Sequence, residues 1–187
     1  QGELQPAQVY VATLGNSEMS EAIAEEEGIE LSSLCGKREC FLFQVLKNGS
    51  LLIAGSDKRG TIYGLFHISE LMGVSPFVHF ADVVPAPQKE IIFSEKDSMQ
   101  SKEPSVKYRG FFINDEWPAF GNWTFSHYGG FTAEMYDLIF ETLLRLKGNY
   151  LWPAMWTSSF SLDGPGEENA RLADCYGIVM RDRKSVV

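Results

Sequence analysis

Histidine, cysteine and spare positive charge are all scarce in this chain. Only His67, His79 and His127 occur, beside three cysteines, Cys35, Cys40 and Cys175. So few imidazoles and thiols, scattered as they are, leave no cluster for a metal, and none is expected. No Gly-x-Ser-x-Gly elbow frames a serine nucleophile, so a Ser/His/Asp hydrolase is not indicated. Cys35 and Cys40 are near enough to meet on a turn with Cys175 left over, but three cysteines make no disulfide framework, and ordinary structural thiols are expected. Lys and Arg number 16 against 25 Asp and Glu, a formal charge of −9. Phosphate neutralisation supplies most nucleic-acid affinity, so no nucleic-acid partner is expected. No apolar run approaches the roughly 18 residues of a membrane helix, and no membrane partner is expected. The chain starts at Gln1 with no charged and apolar leader before it. The expectation is a secreted or periplasmic protein whose signal peptide has been removed.

Nucleotide signatures are missing too. Gly55-Ser-Asp-Lys-Arg-Gly60-Thr61 lies between a strand-like and a helix-like stretch, yet Thr61 stands where a phosphate loop needs lysine. No GxGxxG occurs, so the turn reads as structural and no cofactor is expected.

What remains is ordinary globular composition, 44% hydrophobic and 22% charged over 187 residues. Val9–Leu14 reads as a strand, Ser20–Glu27 as a short helix capped by Ser20, and Cys40–Leu46 with Ser50–Ala54 as a hairpin turned at Lys47-Asn48-Gly49. Thr61–Met72 has the helical period and stops at Gly73, and Ile91–Phe93 reads as a last short strand. These elements predict a small N-terminal α/β sandwich-like domain over residues 1–95. The polar stretch 96–104 predicts a linker. Beyond it, strand Val106–Ile113, helix Ala133–Leu146 capped by Thr132, strand Asn149–Trp156, helix Asn169–Tyr176 and strand Ile178–Met180 alternate. That order predicts right-handed βαβ units on a parallel sheet over residues 105–180.

In such a sheet the carboxyl ends of the strands face the ligand. The first strand of this half ends in Asn114, Asp115 and Glu116, then Trp117-Pro118. These polar groups suit a sugar's hydroxyls; the alternative is that Asn114 and Asp115 merely shape the turn. The next strand ends in Trp152-Pro-Ala-Met-Trp156, with two indoles on one face if the chain stays extended. Indoles beside carboxylates suit the C–H face of a carbohydrate; the alternative places either tryptophan in the core.

The stretches Lys107–Glu116, Tyr128-Gly-Gly-Phe131, Leu144–Trp156 and Asn169–Met180 resemble the start of the catalytic domain of glycoside hydrolase family 115. The upstream Gly55–Gly64, Ile68–Pro76 and Ala81-Asp-Val83 resemble that family's N-terminal domain. The resemblance implies a xylan α-1,2-glucuronidase that removes glucuronic or 4-O-methylglucuronic acid by inversion. It also implies a (β/α)₈ TIM barrel of which only the first βαβα units are present, no cofactor, and a full-length homodimer acting on xylan or glucuronoxylan oligosaccharides. The catalytic acid and base are expected beyond residue 187. Only substrate binding carries over, to Asn114, Asp115, Glu116, Trp152 and Trp156. Two departures stand out: Trp117 replaces a second glutamate, and Phe77-Val-His-Phe80 replaces a more tryptophan-rich stretch. A third lies at the end. Asp182-Arg-Lys-Ser-Val-Val187 is what read-through of a common sequencing adapter encodes, and residues 181–187 are expected to be a non-native tail. Two other readings stay open: a non-catalytic carbohydrate-binding or interaction domain, and another glycosidase with the same N-terminal layer.

Overall fold

A computed structural model describes residues 7–16 and 18–181. The chain divides into two compact units. One holds the residues up to Ser75 together with Val84–Ser105; the other holds Pro76–Val83 and the residues from Val106.

The first unit is a four-stranded sheet in the order β1-β3-β2-β4. Strand β1 (Val9–Thr13) runs parallel to β3 (Leu51–Gly55), and β2 (Phe41–Val45) is antiparallel to both β3 and β4 (Met99–Gln100). The Asn-Gly hairpin forms as its residues dictate. Gly49 takes φ +83°, and Leu46 N–H donates to the Ser50 carbonyl at 2.8 Å. Alternation along β2 buries both faces of the sheet. Phe41 and Phe43 face His67 of helix α2 (Lys58–Leu71), with ring centroids 5.6 and 5.4 Å away. Leu42 joins Leu34, Cys40 and Ala54 in a second cluster. All three cysteines are free, and burial pushes the Cys40 thiol up.

The turn that failed as a phosphate loop has a packing role. A Cβ on Gly60 would lie 2.1 Å from the Cys40 carbonyl oxygen, so only glycine lets α2 start against β2. Asp57 caps α2. One carboxylate oxygen accepts the Gly60 N–H at 2.8 Å and the other accepts the Glu39 N–H at 2.9 Å. Replacing Asp57 by alanine removes the cap and strands the Glu39 amide. We expect a loss of about 1–2 kcal/mol, measured as a shift in urea midpoint at unchanged slope.

Several expectations fail here for identifiable reasons. Residues 96–104 are not a free linker. Met99 and Gln100 pair with β2, Ser98 Oγ accepts the Val45 N–H at 3.0 Å, and Ser101 Oγ accepts the Phe41 N–H at 2.8 Å. Ile91–Phe93 is not a strand, since the edge of β2 is already taken; Phe93 instead packs its ring against Phe43 at 5.6 Å. Helix α1 spans Glu18–Glu27, so Ser20 lies inside it, fully buried and donating to Glu21, rather than capping it.

The second unit carries three parallel strands in the order β5-β6-β7: Gly110–Phe112, Tyr150–Trp152 and Val179–Met180. Helix α4 (Ala133–Arg145) follows β5 and helix α5 (Glu168–Tyr176) follows β6. The apolar stripe of α4 buries Met135, Tyr136, Ile139, Phe140 and Leu143. Gly177 closes α5 in the left-handed conformation at φ +69°. Thr132 precedes α4 but makes no capping bond. An additional helix, α3 (Phe120–Tyr128), lies where no period was visible in the sequence. Residues 76–83, expected with the first domain, belong to this unit: His79 pairs with Glu141 at 3.1 Å and Phe80 packs on Trp123 at 6.0 Å.

The strands are shorter than expected. Strand β5 covers three residues, all exposed rather than buried, because its outer edge has no neighbour among the described residues. Beside that edge is an apolar cavity of about 490 Å³, lined by Phe77, Phe80, Phe111, Phe112, Phe120 and Ile139 among others. The expected tail at 182–187 lies outside the described residues. Arg181 is described, with its guanidinium 4.7 Å from the Trp152 ring centre.

Candidate functional site

The carboxyl ends of β5 and β6 lie side by side because the two strands are paired in register, Phe112 opposite Trp152, with Ile113 N–H donating to the Trp152 carbonyl at 2.8 Å. The three polar residues after β5 then part company. Asn114 Nδ2 donates to Glu116 at 2.7 Å, and Glu116 is exposed. The side-chain oxygen of Asn114 is buried without a partner, and Asn114 also lines the apolar cavity. Asp115 points the other way and is 0% exposed.

Asp115 grips the loop that follows β6. One carboxylate oxygen accepts the N–H groups of Met155 at 2.8 Å and Trp156 at 2.7 Å. The other accepts the N–H groups of Thr157 and Ser158, both at 2.6 Å, and the Thr157 hydroxyl at 3.3 Å. Four successive amides converge on one anion, as in backbone nests that bind anionic ligands. Burial alone would raise the carboxyl pKa, but the bonds from Ser158, Met155, Trp156 and Thr157 reverse that and hold it below the usual carboxylate range. The expectation that Asp115 contacts substrate is therefore corrected, since its two oxygens are already occupied by this chain.

The rest of the loop is fastened as firmly. Asp163 accepts the Ser159 N–H at 2.7 Å and the Ser158 hydroxyl. Phe160 adopts φ +40°, a region costly for a residue with a Cβ. Its buried ring packs edge-on to Tyr136 at 4.9 Å, and its carbonyl accepts from buried Asn169 at 2.6 Å. Burial, reinforced by the charges of Asp163 and Asp115, pushes the Tyr136 hydroxyl above the usual phenol range. Asp163, Ser158 and Asn169 were not singled out from the sequence. The only hint was the turn-forming run Asp163-Gly-Pro-Gly166 beside them.

The two tryptophans separate as well. Strand β6 ends at Trp152 and the chain turns at Pro153, so Trp152 and Trp156 do not share a strand face. Trp152 packs edge-on to Phe112 at 5.2 Å, and its indole N–H is buried without a partner. Trp156 stands on the clamped loop with 64% of its surface exposed. Among the described residues no group of three or more His, Cys, Asp or Glu is placed to hold a metal.

Proteins built on parallel α/β sheets bind their ligands beyond the carboxyl ends of the strands, the end of the sheet at which this chain carries Asn114, Glu116 and Trp156. The model of glycosyl hydrolase family 115 matches residues 101–184. A solved structure of BtGH115A is 38% identical and superposes with a TM-score of 0.79 over 92% of this chain. The chain therefore belongs to glycoside hydrolase family 115. BtGH115A is described as a family GH115 4-O-methyl-α-glucuronidase with specificity for decorated arabinogalactans. This chain spans 23% of its length. A second solved structure, of a GH138 enzyme targeting pectin rhamnogalacturonan II, is 16% identical with a TM-score of 0.45 over 92% of this chain and 23% of its own. No curated protein matches the chain in sequence.

Proposed function

We propose that this chain supplies the N-terminal α/β domain and the first strands of the (β/α)₈ barrel of an inverting glycoside hydrolase. That enzyme removes glucuronic or 4-O-methylglucuronic acid from a polysaccharide outside the cytoplasm, and works as a homodimer. The observation that carries this reading is the 38% identity to BtGH115A over 92% of the chain. The parallel order β5-β6-β7, with α4 and α5 as crossovers, supports it independently. A barrel of this kind needs eight strands and about 250 residues. Inversion needs an acid and a base about 6.5–9.5 Å apart, and we place both on later strands. Asn114, Glu116, Trp152 and Trp156 line the substrate in this reading, and the 187 residues alone release no uronic acid.

Two substrate classes compete. Glucuronoxylan follows from the family resemblance, whereas decorated arabinogalactan is favoured by the described specificity of BtGH115A. The full-length enzyme should be incubated separately with glucuronoxylan oligosaccharides and with arabinogalactan, and the fresh product followed by proton NMR. The expected result is release of the uronic acid from at least one, appearing first as the β-anomer because an α-linkage inverts. The α-anomer appearing first would overturn inversion. Binding without release would return the protein to the carbohydrate-binding reading.

A further inference from the structure

We propose that Asp115 is a positioning residue that acts through the loop after β6. Its buried carboxylate holds the 155–158 backbone so that the exposed Trp156 indole stands as a fixed platform for a pyranose ring. The inference rests on the functional reading above and deepens it, since it assigns a role to a carboxylate that touches no substrate.

The geometry separates two jobs within one short loop. Both oxygens of Asp115 are spent on Met155, Trp156, Thr157 and Ser158, so nothing of the carboxylate is left for a sugar. Trp156 is clamped at its own N–H, 2.7 Å from Asp115, while its side chain is 64% exposed. An indole on a loose loop would have to be ordered when ligand binds, and that ordering weakens binding. Here the ordering is done beforehand. Asp115 fixes the near end of the loop, and Asp163 with the Phe160 anchor fixes the far end. A backbone held this firmly beneath a large apolar ring matches a site in which a supporting shell sets the angle of a contact residue. The C–H face of a pyranose is the surface such a ring covers, and the parallel-sheet position puts the ring where ligands are bound.

The test uses the full-length enzyme on whichever polysaccharide or oligosaccharide the wild type hydrolyses. Trp156→Ala should raise KM about tenfold while changing kcat much less, since it removes binding that ground state and transition state share. Asp115→Asn keeps the size of the side chain but turns an NH₂ group toward backbone donors. It should raise KM to a similar degree and speed amide exchange at residues 155–158, with α4 unchanged. The double variant should be no worse than the poorer single one, because both changes remove the same platform. Multiplied effects would show that Asp115 acts by another route and would overturn the proposal. So would a silent Trp156→Ala, or a change in kcat alone in Asp115→Asn. If Asp115→Asn does not fold, Asp115→Glu keeps the charge on a longer arm and is read in the same way. If neither folds, amide exchange in the wild type decides together with Trp156→Ala: amides of residues 155–158 that exchange freely, or an unchanged KM in Trp156→Ala, overturn the proposal, and protected amides with a raised KM uphold it. A wild type inactive on every uronic-acid polysaccharide would instead defeat the functional reading, which the variants do not touch.

Discussion

Asp115→Ala is expected to cost about 3–5 kcal/mol of stability at neutral pH. The substitution leaves four backbone N–H groups facing a small apolar side chain, and each buried donor without an acceptor costs about 1–3 kcal/mol unless water enters. Water will recover part of that, so the four losses will not add in full. The cost should also depend on pH, with a definite sign. In the folded protein the carboxyl lies below the usual range: burial opposes ionisation, and the bonds from Ser158, Met155, Trp156 and Thr157 outweigh it. A group depressed in this way contributes stability that is complete above the unfolded-chain pKa of about 3.9 and fades as pH falls through the lower folded value. The difference between wild type and Asp115→Ala should therefore be largest and constant above about pH 5, and should shrink on acidification below about pH 4. Unfolding curves at a series of pH values read this directly. A difference that grows toward low pH would mean that the carboxyl is not held ionised by the loop.

Nothing in the local sequence revealed which of three adjacent polar residues would turn inward. Asn114, Asp115 and Glu116 follow an extended strand, and successive side chains on extended backbone point to opposite sides. The pattern therefore put Asp115 on the side away from Asn114 and Glu116, without saying which side turns inward. Choosing the side of Asp115 required knowing that four amides of a loop some 40 residues later converge on it. Elements with strong periodicity were plain from the residues alone. The stripe Met135, Leu138, Ile139, Leu143 and Leu146 announced α4, and the Asn-Gly pair between apolar runs announced the β2–β3 hairpin. Helix α3 was hidden because Phe120-Gly-Asn-Trp-Thr-Phe-Ser-His-Tyr128 mixes aromatic and small polar residues without a period. The β4 edge was hidden for a different reason. Ser98 and Ser101 pair with β2 through their hydroxyl oxygens, a bonding pattern that leaves no trace in hydropathy.

Gly110→Ala should be nearly as damaging as the loss of Asp115, although Gly110 is an exposed residue. A Cβ built on it would lie 1.6 Å from the Tyr150 carbonyl oxygen and 2.6 Å from the attached carbon. Backbone, unlike the end of a flexible side chain, cannot swing aside, so β5 and β6 would have to separate where Gly110 pairs with Tyr150. That junction is already held tightly. Asn149 and Tyr150 both donate their N–H to the Arg109 carbonyl, at 2.8 and 3.1 Å, and the buried Asn149 side chain accepts the Arg109 N–H at 2.9 Å and donates to the Lys107 carbonyl at 2.7 Å. Arg109 in turn donates to the Lys147 carbonyl at 3.0 Å. Pushing the strands apart strains all of these at once. We expect a loss of about 2–4 kcal/mol, in the range of overpacked core sites, seen as a lower melting temperature. The effect should reach beyond the strand. Asp115 meets residues 155–158 only because β5 and β6 are in register, so the same substitution should speed amide exchange at Met155–Ser158. A melting temperature within about 1 °C of wild type, with those amides still protected, would show that the two strands tolerate a wider spacing than their pairing implies.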